Sequence, residues 1–414
     1  MKYLTLATVI AGLSGFVVII IAGRALGDSS TLAEEFTAYW GLFFAGTGVL
    51  TGLTQETTRA ISAARSAPDA PRGSIRPIVF SLFAAAATAV ILGATTPLWI
   101  GRLLSDHQGI SVAMLALGLG SYAVQATISG ILSGCQLWKQ YAALISLDTG
   151  VRMILAVAAW LLGYQLLAFL VITVIGAVSW IFIVAGSREA RAALSSITDV
   201  SAAVFTRQAL TAMAASGATA VLITGFPTLV KLTNPDTTGQ AVTAAAVIYA
   251  VTLTRAPLLV PLQQFQSAII VRFVQNRQAP LRALAAPLLI VWTVGLIGAG
   301  LAWLIGPWLL EVLLAREIYA VPGSLLAVLT LGATSTATLM VTGCASIAYG
   351  RHGLYLGGWL MATAVAIGLL LGPWELATAA GLALICGPLA GLVVHAAALL
   401  RSGGIAEGSV EKLG

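Results

Sequence analysis

Twelve runs of about twenty apolar residues fill nearly the whole of this chain, and a helix of that length crosses the hydrocarbon core of a bilayer. They begin near Leu4, Thr37, Pro77, Ile110, Tyr141, Leu166, Gln208, Gln240, Leu284, Leu325, Gly353 and Leu376. With 59% hydrophobic and 9% charged residues, the 414-residue chain has the composition of a polytopic membrane protein. The breaks at Ser66 to Gly73 and at Thr233 to Asp236 carry turn chemistry, and no connection is long enough to hold a separate folded domain.

Basic residues orient the spans. With the N-terminus inside, fifteen of the 21 Lys and Arg fall on the cytoplasmic side and four on the other, while Arg152 and Arg255 lie within spans. This alternation, loop by loop, predicts an even number of spans with both termini cytoplasmic, in the cell (inner or plasma) membrane. Reading Lys2 and its apolar run as a cleaved signal peptide would leave eleven spans and invert the alternation, so the first helix is expected to stay. The net charge of +6 then faces anionic membrane lipids and calls for no nucleic acid. Cys135, Cys344 and Cys386 have no metal-ligand spacing and read as small packing residues.

Arg24, Arg152 and Arg255 sit inside apolar stretches, where a charge costs about 2.5–3.5 kcal/mol on insertion scales. Such a charge faces a bundle interior or a wet cavity, snorkels to an interface, or caps a backbone carbonyl. Few acidic residues accompany them, which points to an anionic cargo. Asp148 lies four residues before Arg152, on one helix face, so the two are expected to pair. Gly41, Gly46, Gly48 and Gly52, and Gly118, Gly120, Gly130 and Gly134, form stripes that let helices approach closely. Pro227, Pro257 and Pro261 are expected to interrupt or kink the seventh and eighth spans.

Catalytic chemistry is not visible. There is no G-x-x-x-x-G-K-[ST] phosphate loop, and His107, His352 and His395 are far apart in the sequence. His395 reads as a helix-face residue near the inner interface. The external loops are too short for the acidic site of a membrane glycosyltransferase. No cofactor, metal or enzymatic activity is expected.

Splitting the chain near residue 200 gives six spans in each half. The second span ends in Leu53-Thr54-Gln55 and the eighth in Leu262-Gln263-Gln264, a shared Leu-x-Gln pattern that fits a parallel repeat. The expected fold is therefore an all-α polytopic membrane protein with 12 transmembrane helices in two six-helix lobes around a central cavity. Residues 1–200 make the N-terminal lobe and 201–414 the C-terminal lobe.

Ala22-Gly23-Arg24-Ala25-Leu26-Gly27, then Glu34-Glu35-Phe36 and Tyr39-Trp40-Gly41-Leu42, resemble the opening of polysaccharide flippases of the multidrug/oligosaccharidyl-lipid/polysaccharide exporter superfamily. Gly130-Ile131-Leu132-Ser133-Gly134 and Arg255-Ala256-Pro257-Leu258 are similar to that family too. The resemblance implies a flippase that moves a polyprenyl-(di)phosphate-linked oligosaccharide to the outer leaflet by alternating access, for cell-envelope polysaccharide synthesis. Its partners would be that anionic glycolipid and the glycosyltransferases or polymerase of the same pathway. By position Arg24 and Arg255 match family arginines, and Arg59 matches more loosely. The candidate cargo-binding set is Arg24, Arg59, Arg152, Arg255, Asp148 and Gln263. The alternatives are a drug/cation antiporter of the same superfamily, for which Asp148 and Glu56 would be the membrane carboxylates, and a non-transporting envelope-assembly scaffold.

Overall fold

The computed structural model describes residues 2–26, 30–67, 73, 75–104, 106–233, 242, 244–276, 280–314 and 321–410, and no strand is found among them. The chain divides into two compact units, Met1–Met213 and Ala214–Gly414.

In the first unit α1 (Lys2–Leu26), α2 (Ser30–Ser66), α3 (Pro77–Leu103), α4 (Gln108–Gly134) and α5 (Trp138–Leu161) are the first five expected spans. The sixth is broken: α6 (Leu166–Ile175) passes through one 3-10 turn at Gly176–Val178 into α7 (Ser179–Gly186). A short helix, α8 (Arg188–Ala193), follows it. The seventh span is broken too, into α9 (Ala202–Ile223) and α10 (Phe226–Thr233), and the boundary between the units falls inside α9. Pro227 is the second residue of α10, a position at which its missing N–H costs nothing. The remaining spans are α11 (Ala244–Gln275), α12 (Pro280–Leu314), α13 (Gly323–Ala348), α14 (His352–Leu370) and α15 (Leu376–Val410). Pro257 and Pro261 lie inside α11, which stays helical through both. Nine spans among the described residues are long and apolar enough to cross a membrane by length and composition.

Turns between spans are built from backbone conformation. Gly163, after α5, and Gly350, after α13, have φ of 71° and 72°, in the left-handed region where a side chain is disfavoured. At Gly350 the amide bonds to Ile347 and that of Arg351 to Ser346, which closes the carbonyl end of α13. Gln136 plays the same part after α4, with φ of 60°.

The packing of the second, third and fourth spans repeats after six. In the first unit α1 packs on α5, and both α2 and α3 pack on α4. In the second, α10 packs on α14, and both α11 and α12 pack on α13. The third helix of each set, α3 or α12, is peripheral and leaves Leu82, Phe83 and Val90, or Leu289, Ile297 and Leu304, exposed for lipid to cover. The fourth is central. Glycines allow its close approach: a β-carbon on Gly130 of α4 would lie 2.8 Å from the Thr54 carbonyl oxygen of α2. Thr54 Oγ1 donates to the Ala126 carbonyl at 2.8 Å, and Thr58 and Ser133 hydroxyls meet at 2.7 Å. On α13 a column of hydroxyls, Thr330, Thr334, Thr338, Thr342 and Ser346, is buried, and each donates to the carbonyl four residues earlier.

Candidate functional site

Three buried arginines organise the polar interior, each in a different way. Arg152 projects from α5 with 3% exposure. Its Nη1 donates to Asp148 Oδ2 at 2.9 Å and its Nε to the Thr173 carbonyl at 3.1 Å. The guanidinium carbon lies 5.6 Å and 5.4 Å from the ring centres of Phe43 and Phe44, so aromatic faces replace part of its hydration. In a continuous α-helix the Thr173 carbonyl would accept from the Ala177 amide, which here lies in the 3-10 turn. It accepts from Arg152 just before the 3-10 turn, where a side chain inserted at the carbonyl accompanies the break in the sixth span. From α4, Ser121 donates to the Ala177 carbonyl and Gln125 accepts from the Trp180 amide, holding the other side of the break.

Arg59 lies at the end of α2 with 2% exposure. It donates to Glu56 at 2.7 Å, to Asp199 at 2.7 and 2.9 Å, and to Gln208 of α9 at 3.2 Å. A planar guanidinium spans these partners at once, which an ammonium could not. The network ties the segment before α9, and α9 itself, to α2. Asp199 and Gln208 escape sequence reasoning because they lie 140 and 149 positions from Arg59.

Arg255 of α11 differs from both. It is 4% exposed, yet no carboxylate pairs with it among the described residues. Its Nη1 donates to the Leu222 and Ile223 carbonyls at 3.3 and 3.2 Å, and its guanidinium carbon lies 4.8 Å from the ring centre of Phe226. Those carbonyls end α9, so Arg255 caps the negative pole of that helix at the break in the seventh span. Its Nε and Nη2 are buried without a hydrogen-bond partner. A guanidinium with two donors unused presents the fork that fits a phosphate oxygen pair.

Arg24, in the last turn of α1, and Gln263, on α11, are both exposed. The structure thus brings Asp148 and Arg152 together, places Arg59 in a four-residue network, and leaves Arg255 with backbone partners. His395, expected on a helix face near an interface, is buried inside the second unit. Its Nδ1 meets the Thr342 hydroxyl at 3.0 Å and its Nε2 the Tyr355 carbonyl at 3.2 Å. A β-carbon on Gly358 would collide with its ring, so α14 has to be smooth there for this imidazole to fit. No group of three His, Cys, Asp or Glu able to hold a metal is found among the described residues.

A twelve-span, all-α fold of this kind is that of MATE transporters. A MATE structure in complex with MaD3S superposes with a TM-score of 0.76 at 15% identity, over 98% of this chain and 97% of the other. The bent form of VcmN, a Vibrio cholerae MATE transporter, gives 0.72 at 16% identity over 97% of each chain. A Pyrococcus furiosus transporter of the MOP superfamily, described as having a binding pocket of reverse polarity that suggests a different function, gives 0.73 at 14% identity over 97% and 95%. The chain is a multi-pass membrane protein with this fold. Within it, the chain belongs to the family of the uncharacterised Mycobacterium tuberculosis proteins Rv3630 and Rv1510. It is 38% identical to the first over 397 residues, covering 96% of this chain and 91% of the relative, and 39% identical to the second over 395 residues, covering 95% and 90%. No family model matches the sequence.

Proposed function

We propose that this protein is a transporter that flips a polyprenyl-(di)phosphate-linked oligosaccharide from the cytoplasmic to the outer leaflet of the cell membrane, for envelope polysaccharide synthesis. The observation that carries this reading is Arg255, a buried cation with no carboxylate partner among the described residues and two unused donors. An anionic head group is the ligand such a residue selects, and a cationic drug is the one it repels. Glu56, Asp199 and Asp148, the carboxylates a cation antiporter would need, are already held by Arg59 and Arg152. The shared fold of the MOP transporters supports alternating access between a lobe at 1–200 and a lobe at 201–414. Both termini then lie in the cytoplasm, beside the glycosyltransferases and polymerase that make and consume the cargo. Arg24, Arg59, Arg152, Asp148 and Gln263 complete the proposed binding set, with Arg59 and Arg152 acting through their partners.

One observation favours the cation antiporter instead. Asp148 Oδ1 is buried without a hydrogen-bond partner and could accept from a protonated drug or hold a proton. Proteoliposomes separate the two. A fluorescent polyprenyl diphosphate glycolipid should become accessible to a membrane-impermeant quencher at a rate that requires the protein, and that Arg255→Ala lowers at least roughly tenfold, about 1.4 kcal/mol. Movement of a cationic dye against a proton gradient, with no glycolipid flipping, would overturn the proposal in favour of the antiporter.

A further inference from the structure

The seventh span is the one helix that both units share, and its two ends are held differently. The first half of α9 belongs to the first unit. Arg59 ties Gln208 and the preceding Asp199 to α2, and Phe205 packs edge-on against Phe80 of α3 at 5.4 Å. The second half belongs to the second unit and ends at Ile223, before Thr224 and Gly225 lead into α10. A β-carbon on Gly225 would crowd the Val221 carbonyl, so the break is built into the chain. What holds the broken end is Arg255, through two hydrogen bonds of 3.3 and 3.2 Å from a single nitrogen. Both are longer than usual for an N–H donor, and both are to neutral acceptors. The same guanidinium keeps Nε and Nη2 unpartnered.

A phosphate bonds a guanidinium more strongly than a backbone carbonyl does, and through two nitrogens at once. An anion seated on Nε and Nη2 that turns the guanidinium into line with its two oxygens would draw Nη1 off its two long bonds to Leu222 and Ile223. We infer that Arg255 is a cargo-sensing pin: it caps the end of α9 in the empty transporter, and a diphosphate that binds it uncaps α9 and loosens the break to α10, an inference that rests on the anionic-cargo reading above. Occupancy is thereby reported to the helix that spans the unit boundary. The Phe226 ring, 4.8 Å from the guanidinium carbon, keeps the side chain beside the break as the exchange takes place. No ATP or second ligand is needed, since the differential affinity of the anion for the uncapped state supplies the shift.

Amide hydrogen exchange of the full-length protein in lipid nanodiscs tests this, with inorganic pyrophosphate as the probe. Residues 219–230 report the pin, and α13 serves as the control for global folding. In the wild type, saturating pyrophosphate should speed exchange in that segment roughly fivefold, the size expected for losing a charged helix cap. Arg255→Ala should show the fast exchange without ligand, and pyrophosphate should not change it. Arg255→Lys, which keeps the charge but gathers its donors on a single nitrogen, should lie between the two. Binding of pyrophosphate by calorimetry, lost in Arg255→Ala, without any change in exchange at 219–230 would overturn the pin and leave the anion reading standing. Absence of pyrophosphate binding would overturn both. Slow exchange at 219–230 in a folded Arg255→Ala protein would overturn the pin whatever the ligand does.

Discussion

Gly176 has no room for a β-carbon beside Arg152: one placed there would lie 2.5 Å from the guanidinium carbon, and as near to Asp148 Oδ1. The missing side chain at the break in the sixth span is what lets the ion pair of α5 reach the Thr173 carbonyl. Gly176→Ala should therefore push the pair aside and lower stability by about 1–3 kcal/mol, the usual cost of overpacking. Gly150, on α5, has nothing within 4 Å of such an atom, so Gly150→Ala serves as the neutral control. Thermal unfolding in detergent compares the two, and equal melting temperatures would show that the close approach is not needed.

Asp148 and Arg152 are close enough to be energetically coupled. Arg152→Gln leaves a largely buried carboxylate without its cation, while Asp148→Asn leaves the guanidinium with Thr173 and two aromatic rings. The first should be the more damaging. The double variant should recover part of the loss, with a coupling of roughly 1–3 kcal/mol in a double-mutant cycle. Additive effects would mean that the 2.9 Å contact contributes nothing.

Arg59 holds two carboxylates, so its loss should exceed the loss of either one. Arg59→Ala leaves Glu56 and Asp199 facing each other, with a cost of about 3–5 kcal/mol by analogy with broken buried pairs. Asp199, whose side chain is 21% exposed, should matter less when replaced by Asn. Arg59→Lys should rescue only in part, because a point charge cannot span Glu56, Asp199 and Gln208 together. Chemical denaturation in mixed micelles ranks the three variants, and full rescue by Lys would deny the guanidinium its geometric role.

If the cargo head group is an anion and no counter-ion enters, an inside-negative potential drives export, at about 2.3 kcal/mol per charge per 100 mV. Outward flux in proteoliposomes should then rise with a potassium diffusion potential and be unmoved by a pH gradient at fixed potential. Flux that follows the pH gradient and ignores the potential would require a proton-coupled cycle.

Much of the architecture is legible in the residues alone. The spans follow from apolar run length, and the pairing of Asp148 with Arg152 from their four-residue spacing, because both signals are local. The partners of Arg59 and Arg255 are not local. Asp199 is an ordinary loop acid in sequence, and the Leu222 and Ile223 carbonyls carry no sequence signature at all. Arg24, in the last turn of α1, is exposed, and its apolar neighbourhood in sequence does not say what that turn faces. Pro227 is legible as an interruption, but prolines of the same type at 257 and 261 lie inside α11, which stays helical through both.

The hydroxyl column of α13 has a mechanical meaning. Each of Thr330, Thr334, Thr338, Thr342 and Ser346 gives its proton to its own helix, so the column asks for no bond from α11 or α12. Of the five, Thr342 is also joined to another helix among the described hydrogen bonds, through His395 of α15. The central helix of the second unit is thus keyed by a polar contact to α15, while Gly295 of α12 makes room for Thr334. The column itself, among the described hydrogen bonds, therefore places no directional bond between α13 and α11 or α12, and its contact with them is one of shape.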